Sequence, residues 1–129
     1  MHTGKILIII GILCVMILGT ASYTLKLLSK DSQELESLIE MIEASTQNGD
    51  WASVENHLSS LETEWHRAEN AWAVLLDHFE IDNIDTSIMR VSKFVETRNV
   101  TMALSEIAVL KQYIKHIPEK ESFSLKNLF

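Results

Sequence analysis

One cysteine, one proline and four glycines are all that this chain of 129 residues contains of the residue types that most restrict or punctuate a backbone. A single cysteine excludes an internal disulfide scaffold and a cysteine-rich zinc site. So few breakers leave too little punctuation for an all-β fold, whose short strands need frequent turns. Positive charge is also scarce. Residues 31 to 85 hold fourteen acidic side chains and only Arg67 against them, and the whole chain has a formal charge of −7. Such a surface repels phosphate backbones, so no nucleic-acid partner is expected. The composition is otherwise that of a globular domain, with 47% hydrophobic and 22% charged residues.

The longest stretch without charge runs from Ile6 to Leu25, between Lys5 and Lys26. Twenty residues rise about 30 Å as a helix, the thickness of a bilayer's hydrocarbon core. Its densest part, residues 6 to 18, followed by Gly19-Thr20-Ala21, also fits a cleavable signal peptide, which would release a secreted soluble protein. The uncharged continuation to Leu25, with Tyr23 placed like an interfacial aromatic, favours a retained anchor. Residues 1–5 then form a short head, 6–25 a transmembrane signal anchor, and 26–129 a helical domain. The small head and large acidic remainder fit an amino terminus inside and a domain outside the cytoplasm, at the cell membrane. No Gly or Pro lies between Gly19 and Gly49, so the span can run unbroken into a soluble helix.

Helical spacing organises the remainder into an all-α four-helix bundle of two hairpins, with helices expected over about 31–48, 50–79, 84–98 and 101–117. Leu28, Leu35, Leu38, Ile39 and Ile42 make the first stripe, with Asp31 and Ser32 as starters and Asn48-Gly49 as the stop. After a cap at Asp50 comes the clearest pattern: Trp51, Val54, Leu58, Leu61, Trp65, Ala68, Trp72, Leu75 and Phe79. This alternation of three and four makes a narrow seam against another helix. Trp51, Leu58, Leu61, Trp65, Trp72, Leu75 and Phe79 are therefore assigned to the core. Residues 80–85 read as the corner between hairpins. Ile84, Ile88, Val91 and Val95 form the third stripe. Thr101 caps a fourth helix carrying Val100, Ala103, Ile107, Leu110, Ile114 and Ile117, which Pro118 ends. The tail 118–129 docks back through Leu125, Leu128 and Phe129. The turns at 48–52 and 98–103 are compatible with tetratricopeptide-like hairpins, but two units are too few for a solenoid.

In combination, Asn48-Gly49-Asp50-Trp51, Trp65, Trp72, the run from His78 to Asp85 and the ending from His116 to Ser122 make the chain resemble a family of bacterial domains of unknown function. Its members, common in clostridia and their relatives, are short, with one amino-terminal span and a helical domain. The resemblance covers essentially the whole chain and implies no activity. It implies a membrane partner, because members are often encoded beside a multi-span membrane protein.

No motif supports an enzyme: there is no glycine-rich phosphate loop, no Gly-x-Ser-x-Gly elbow and no His-Glu-x-x-His. Cys14 lies in the span. His57 and His66, nine residues apart on one helix, point to opposite sides. Neither a metal nor another cofactor is expected. The one polar concentration is His78, Glu80, Asp82 and Asp85 with Arg90 beyond. It reads as a cap and ion-pair knot, the alternative being a metal or catalytic site near His78, Glu80 and Asp82. The function expected is a membrane-anchored interaction module. Its partners are the lipid bilayer and another membrane protein; the acidic hairpin 31–85 is either a solvated face attracted to the net-basic residues 86–129 or the docking face for that protein.

Overall fold

The computed structural model describes residues 2–128, which form four α-helices: α1 (His2–Gln47), α2 (Trp51–Leu75), α3 (His78–Glu96) and α4 (Val100–Leu128). No strand occurs among the described residues. Connections of two or three residues turn each helix antiparallel to the one before. α1 packs against α2 and α4, and α3 packs against the same two, so the helices close into a ring. The two hairpins thus share one core rather than stacking as tetratricopeptide units. That core takes Leu28, Leu35, Ile39 and Ile42 from α1 and Val54, Leu58, Leu61, Trp65, Ala68 and Trp72 from α2. Ile81, Ile84, Ile88, Val91 and Val95 come from α3, and Ala103, Ile107, Leu110, Ile114 and Ile117 from α4.

α1 is one unbroken helix from the apolar segment to the far end of the bundle. Its most apolar window has a mean hydropathy of 2.5 and no buried residue, and the helix is long and apolar enough to cross a membrane. Asp31 and Ser32 do not start a helix, as their residue types suggested; both are buried inside this one. They continue the core stripe between Leu28 and Leu35, and their polar groups are satisfied by α2 and α4.

The two turns at the far end follow one geometry. At the end of α1, Gly49 takes φ 69°, its N–H donates to Thr46 O at 3.1 Å, and that of Asp50 donates to Ser45 O at 3.0 Å. This double closure requires a left-handed residue, the normal place for glycine. α3 ends the same way, but the left-handed residue is Arg98, at φ 56°. Its N–H donates to Val95 O at 3.0 Å and that of Asn99 to Phe94 O at 2.9 Å. The Arg98 side chain reaches across to α2, 3.2 Å from Glu55 and 5.2 Å from the centroid of the Trp51 ring. Asn99 rather than Thr101 caps α4, accepting from the Met102 N–H at 3.1 Å.

Two expected boundaries move. α2 stops at Leu75 instead of reaching 79, because Leu76 is extended and Asp77 caps α3 by accepting from the Phe79 N–H at 3.3 Å. The residues expected to form the corner, 80–85, are therefore helical. Pro118 does not end α4, which continues to Leu128. A proline inside a helix removes the N–H that would bond the carbonyl four residues back, here that of Ile114. The buried Ser32 hydroxyl of α1 donates to that carbonyl at 3.0 Å and fills the vacancy. The tail is thus a helical extension lying along α1, where Ser124 and Leu125 share a groove with Ala21, Thr24 and Leu25. The docking expected of the Leu128 side chain and of Phe129 lies outside the described residues.

Candidate functional site

The polar chemistry of the bundle gathers where α2 crosses α1, close to the point where α1 leaves its apolar segment. Asp31, 2% exposed, accepts from two α2 side chains. Trp72 Nε1 donates at 3.1 Å and Arg67 Nη2 at 2.9 Å. A buried carboxylate is tolerable only when paired and hydrogen-bonded, and these two donors supply that. Arg67 also contacts Glu64 on its own helix and stands 3.5 Å from Glu34 of α1. Three carboxylates around one guanidinium hold its proton more tightly still, raising the pKa further above its ordinary value through Glu64 first and Asp31 second. Reciprocally, Arg67 holds the Glu64 carboxyl below its usual value. The only cation among residues 31–85 is thus taken up internally.

Beside this node runs an open groove of about 630 Å³ on the α1–α2 face, lined by Lys30, Gln33, Glu34, Ser37, Leu38, Ser60 and Glu64. Apart from Lys30 its ionisable groups are acidic.

Two further polar contacts stitch α3 to its neighbours. Trp65 Nε1 donates to Asp85 at 2.7 Å. Glu69 lies beside Asp85, and its pKa is raised, first by burial and then by the neighbouring carboxylate. Glu106 of α4, 8% exposed, accepts from the Ser87 hydroxyl at 3.1 Å and pairs with Arg90 at 3.1 Å. Among the described residues every buried side-chain nitrogen and oxygen has a hydrogen-bond partner, and no group of three or more His, Cys, Asp or Glu is placed to hold a metal ion.

The residues singled out from the sequence separate into distinct environments. Leu58, Leu61, Trp65 and Trp72 are buried, and the two tryptophan rings meet edge to face with centroids 5.5 Å apart. Trp51 is half-buried under Arg98. Leu75 and Phe79 are not core: Leu75 is 36% exposed at the end of α2, and Phe79, on the first turn of α3, is 77% exposed. Nor do the corner residues make one knot. The cap is Asp77; His78 and Asp82 are exposed, Glu80 pairs with Lys120 at 2.7 Å, Asp85 serves Trp65, and Arg90 serves Glu106. Asp31, expected only as a helix starter, is a buried acceptor. Its signal was present: two seam tryptophans each need an acceptor for the indole N–H, and Asp31 stands in a core stripe.

The sequence model of a family described as "Domain of unknown function (DUF4363)" matches residues 22–128. No curated protein matches the chain, and no solved structure does.

Proposed function

Since the chain belongs to this DUF4363 family of domains of unknown function, we propose a role from its geometry: a membrane-anchored helical interaction module that serves another membrane protein. In this reading residues 6–25 are a retained, single-pass signal anchor. The amino terminus lies in the cytoplasm of a bacterial, clostridia-type cell, and the bundle lies outside it. The observation that carries the reading is the continuity of α1, which joins an exposed apolar helix to the core at Leu28 without a hinge. A domain so joined keeps a fixed orientation relative to the span. The face offered to a partner is the α1–α2 groove of the acidic hairpin 31–85, where Asp31, Glu34 and Glu64 share Arg67 and Lys30 lines the rim. It fits a basic segment of a neighbouring membrane protein. No catalytic step enters the proposal.

A photoreactive residue in place of Ser60, inside the groove, tests it in native membranes. The expected result is an adduct with a membrane protein that is lost when Gln33→Lys and Ser37→Lys make the groove basic. Absence of an adduct, or one indifferent to those charges, overturns the docking face. Intact-mass measurement tests the anchor separately: the mature protein retains residues 1–21, and loss of that segment overturns the anchor.

A further inference from the structure

Outside residues 6–18, the most exposed large apolar side chains among the described residues are Val74 at 84%, Phe79 at 77%, Tyr23 at 69% and Phe123 at 66%; Met89 follows at 58%. Scattered exposed apolar residues need no explanation. These four are not scattered. Tyr23 is on α1 just before Lys26. Phe123 shares a groove with Leu25 and Ser29 of α1. Val74 lies two residues past Trp72, which bonds to Asp31, so α2 descends from there to about the level of Leu28. Phe79 opens α3 on the same side of the bundle. Helix side chains lean toward the amino terminus, so its ring projects past the end of α3 toward the apolar segment.

Tyr23 and Phe123 stand beside the last turns of the stretch expected to lie in hydrocarbon, where Glu121, Ser124 and Leu125 of the α4 tail already lie against Ala21, Thr24 and Leu25. Val74 and Phe79 stand roughly one to two turns above them at the same end of the bundle. Residues 26–29 stand roughly 1.5–6 Å beyond Leu25 at helical rise. The interfacial layer on each side of a bilayer is about 5–7 Å deep, and aromatic rings with amphipathic surroundings favour it. Lys26, Lys30 and Lys126 are at the same end. So are Asp77, Glu119 and Glu121, with Glu80 paired to Lys120. The charge is mixed, and the apolar side chains rather than a net cationic field set the preference.

We propose that the α2–α3 corner, through Val74 and Phe79, and the α4 tail, through Phe123, rest in the interfacial layer of the bilayer that α1 enters. The bundle would then touch the membrane at α1, at the corner and at the tail, and these contacts fix its rotation about α1. The inference rests on the anchored reading and extends it to the domain's underside.

The test uses the full chain in phosphatidylcholine vesicles, with Cys14→Ser as background and one spin label each at Ile10→Cys, Val74→Cys, Phe79→Cys or Met102→Cys. Collisions with oxygen and with a water-soluble nickel complex are compared. Labels at 74 and 79 should favour oxygen, while the label at 102, at the opposite end of the bundle, favours nickel. The polar variant Phe79→Asp, at an exposed site, should keep the parent melting temperature and shift the label at 74 toward nickel. Labels at 74 and 79 as open to nickel as that at 102 overturn the proposal. Labels shielded from both reagents overturn it as well, since that is the signature of contact with a second copy. The label at Ile10 separates the two readings. If it favours oxygen while 74 and 79 favour nickel, only the interfacial contact fails; if it too favours nickel, the anchor itself fails.

Discussion

Ser32→Ala removes one hydroxyl, and its cost should depend on a residue 86 positions away, Pro118. In the parent, the Ile114 carbonyl has lost its helical donor to the proline ring, and the Ser32 hydroxyl at 3.0 Å replaces it. Ser32 is 3% exposed and Ile114 1%, so water does not readily take the place of the missing donor. A buried acceptor left unsatisfied costs about 1–3 kcal/mol, and Ser32→Ala alone should lose that much. Pro118→Ala restores an N–H at the correct register for Ile114 and relieves part of the roughly 3 kcal/mol by which proline is disfavoured in a helix interior. Proline's restraint of the unfolded chain offsets about 0.4–1 kcal/mol of that gain. In the Pro118→Ala background the carbonyl already has a donor, so deleting the Ser32 hydroxyl should cost less than about 1 kcal/mol, no more than an ordinary hydrogen bond. The coupling between the two sites should therefore be about 1–2 kcal/mol, well above the scatter of independent sites. Urea unfolding of the full chain in detergent micelles, followed by circular dichroism in all four variants, measures it. If Ser32→Ala costs the same with and without the proline, the hydroxyl is not standing in for the lost N–H and the explanation of the unbroken α4 is wrong.

Three other expectations concern single sites. Asp77→Ala should lose about 0.5–2 kcal/mol as a deleted cap, whereas Asp82→Ala should melt like the parent; the reverse order places the cap wrongly. Arg98→Gly should be more stable than Arg98→Ala by about 1 kcal/mol, because both lose Glu55 and Trp51 while only alanine keeps the left-handed penalty; equal melting temperatures refute the strain. For Glu64 the folded form favours the ionised carboxylate, so its stabilisation is present above the ordinary pKa of 4.5 and disappears as pH falls through the lower folded value. The melting-temperature difference between parent and Glu64→Gln should accordingly shrink from pH 7 to pH 3, and a difference that persists in acid assigns it to packing instead.

The helical class was legible because three-four spacing is a local property, strongest in the α2 stripe from Val54 to Trp72. The same spacing ran on through Phe79 and hid the boundary. A short run of apolar residues cannot tell one long helix from two that meet at an extended residue, and the decisive side chain, Asp77, has the same local credentials as Asp82 and Asp85. Asp31, Ser32 and Pro118 depart from their local expectation for one shared reason. Locally they are starters and a stop, but their partners are 41 and 82 residues distant, and only tertiary packing turns a capping residue into a core donor or acceptor. Arg98 was recognised as a break, but a left-handed conformation at a non-glycine residue has no sequence signature. Asp31 carries a signal in the seam indoles that need acceptors, but its joining with Glu34 of α1 and Arg67 of α2 has no local pattern, because those members meet only in the packed bundle.

The uninterrupted α1 has a mechanical consequence. At helical rise its 46 residues form a rod about 69 Å long, of which the part from Lys26 to Gln47 is about 33 Å. With no proline and no glycine between Gly19 and Gly49, the rod has no joint at which an inclination of its apolar end is absorbed. An inclination of about 20°, common for helices that cross bilayers, swings the Gly49 end sideways by about 11 Å, and the other three helices, packed on the same rod, swing with it. In the proposed anchored arrangement, bilayer thickness, which governs such inclination, becomes a setting for where the acidic groove points: a thin membrane leans the lever over and a thick one stands it upright.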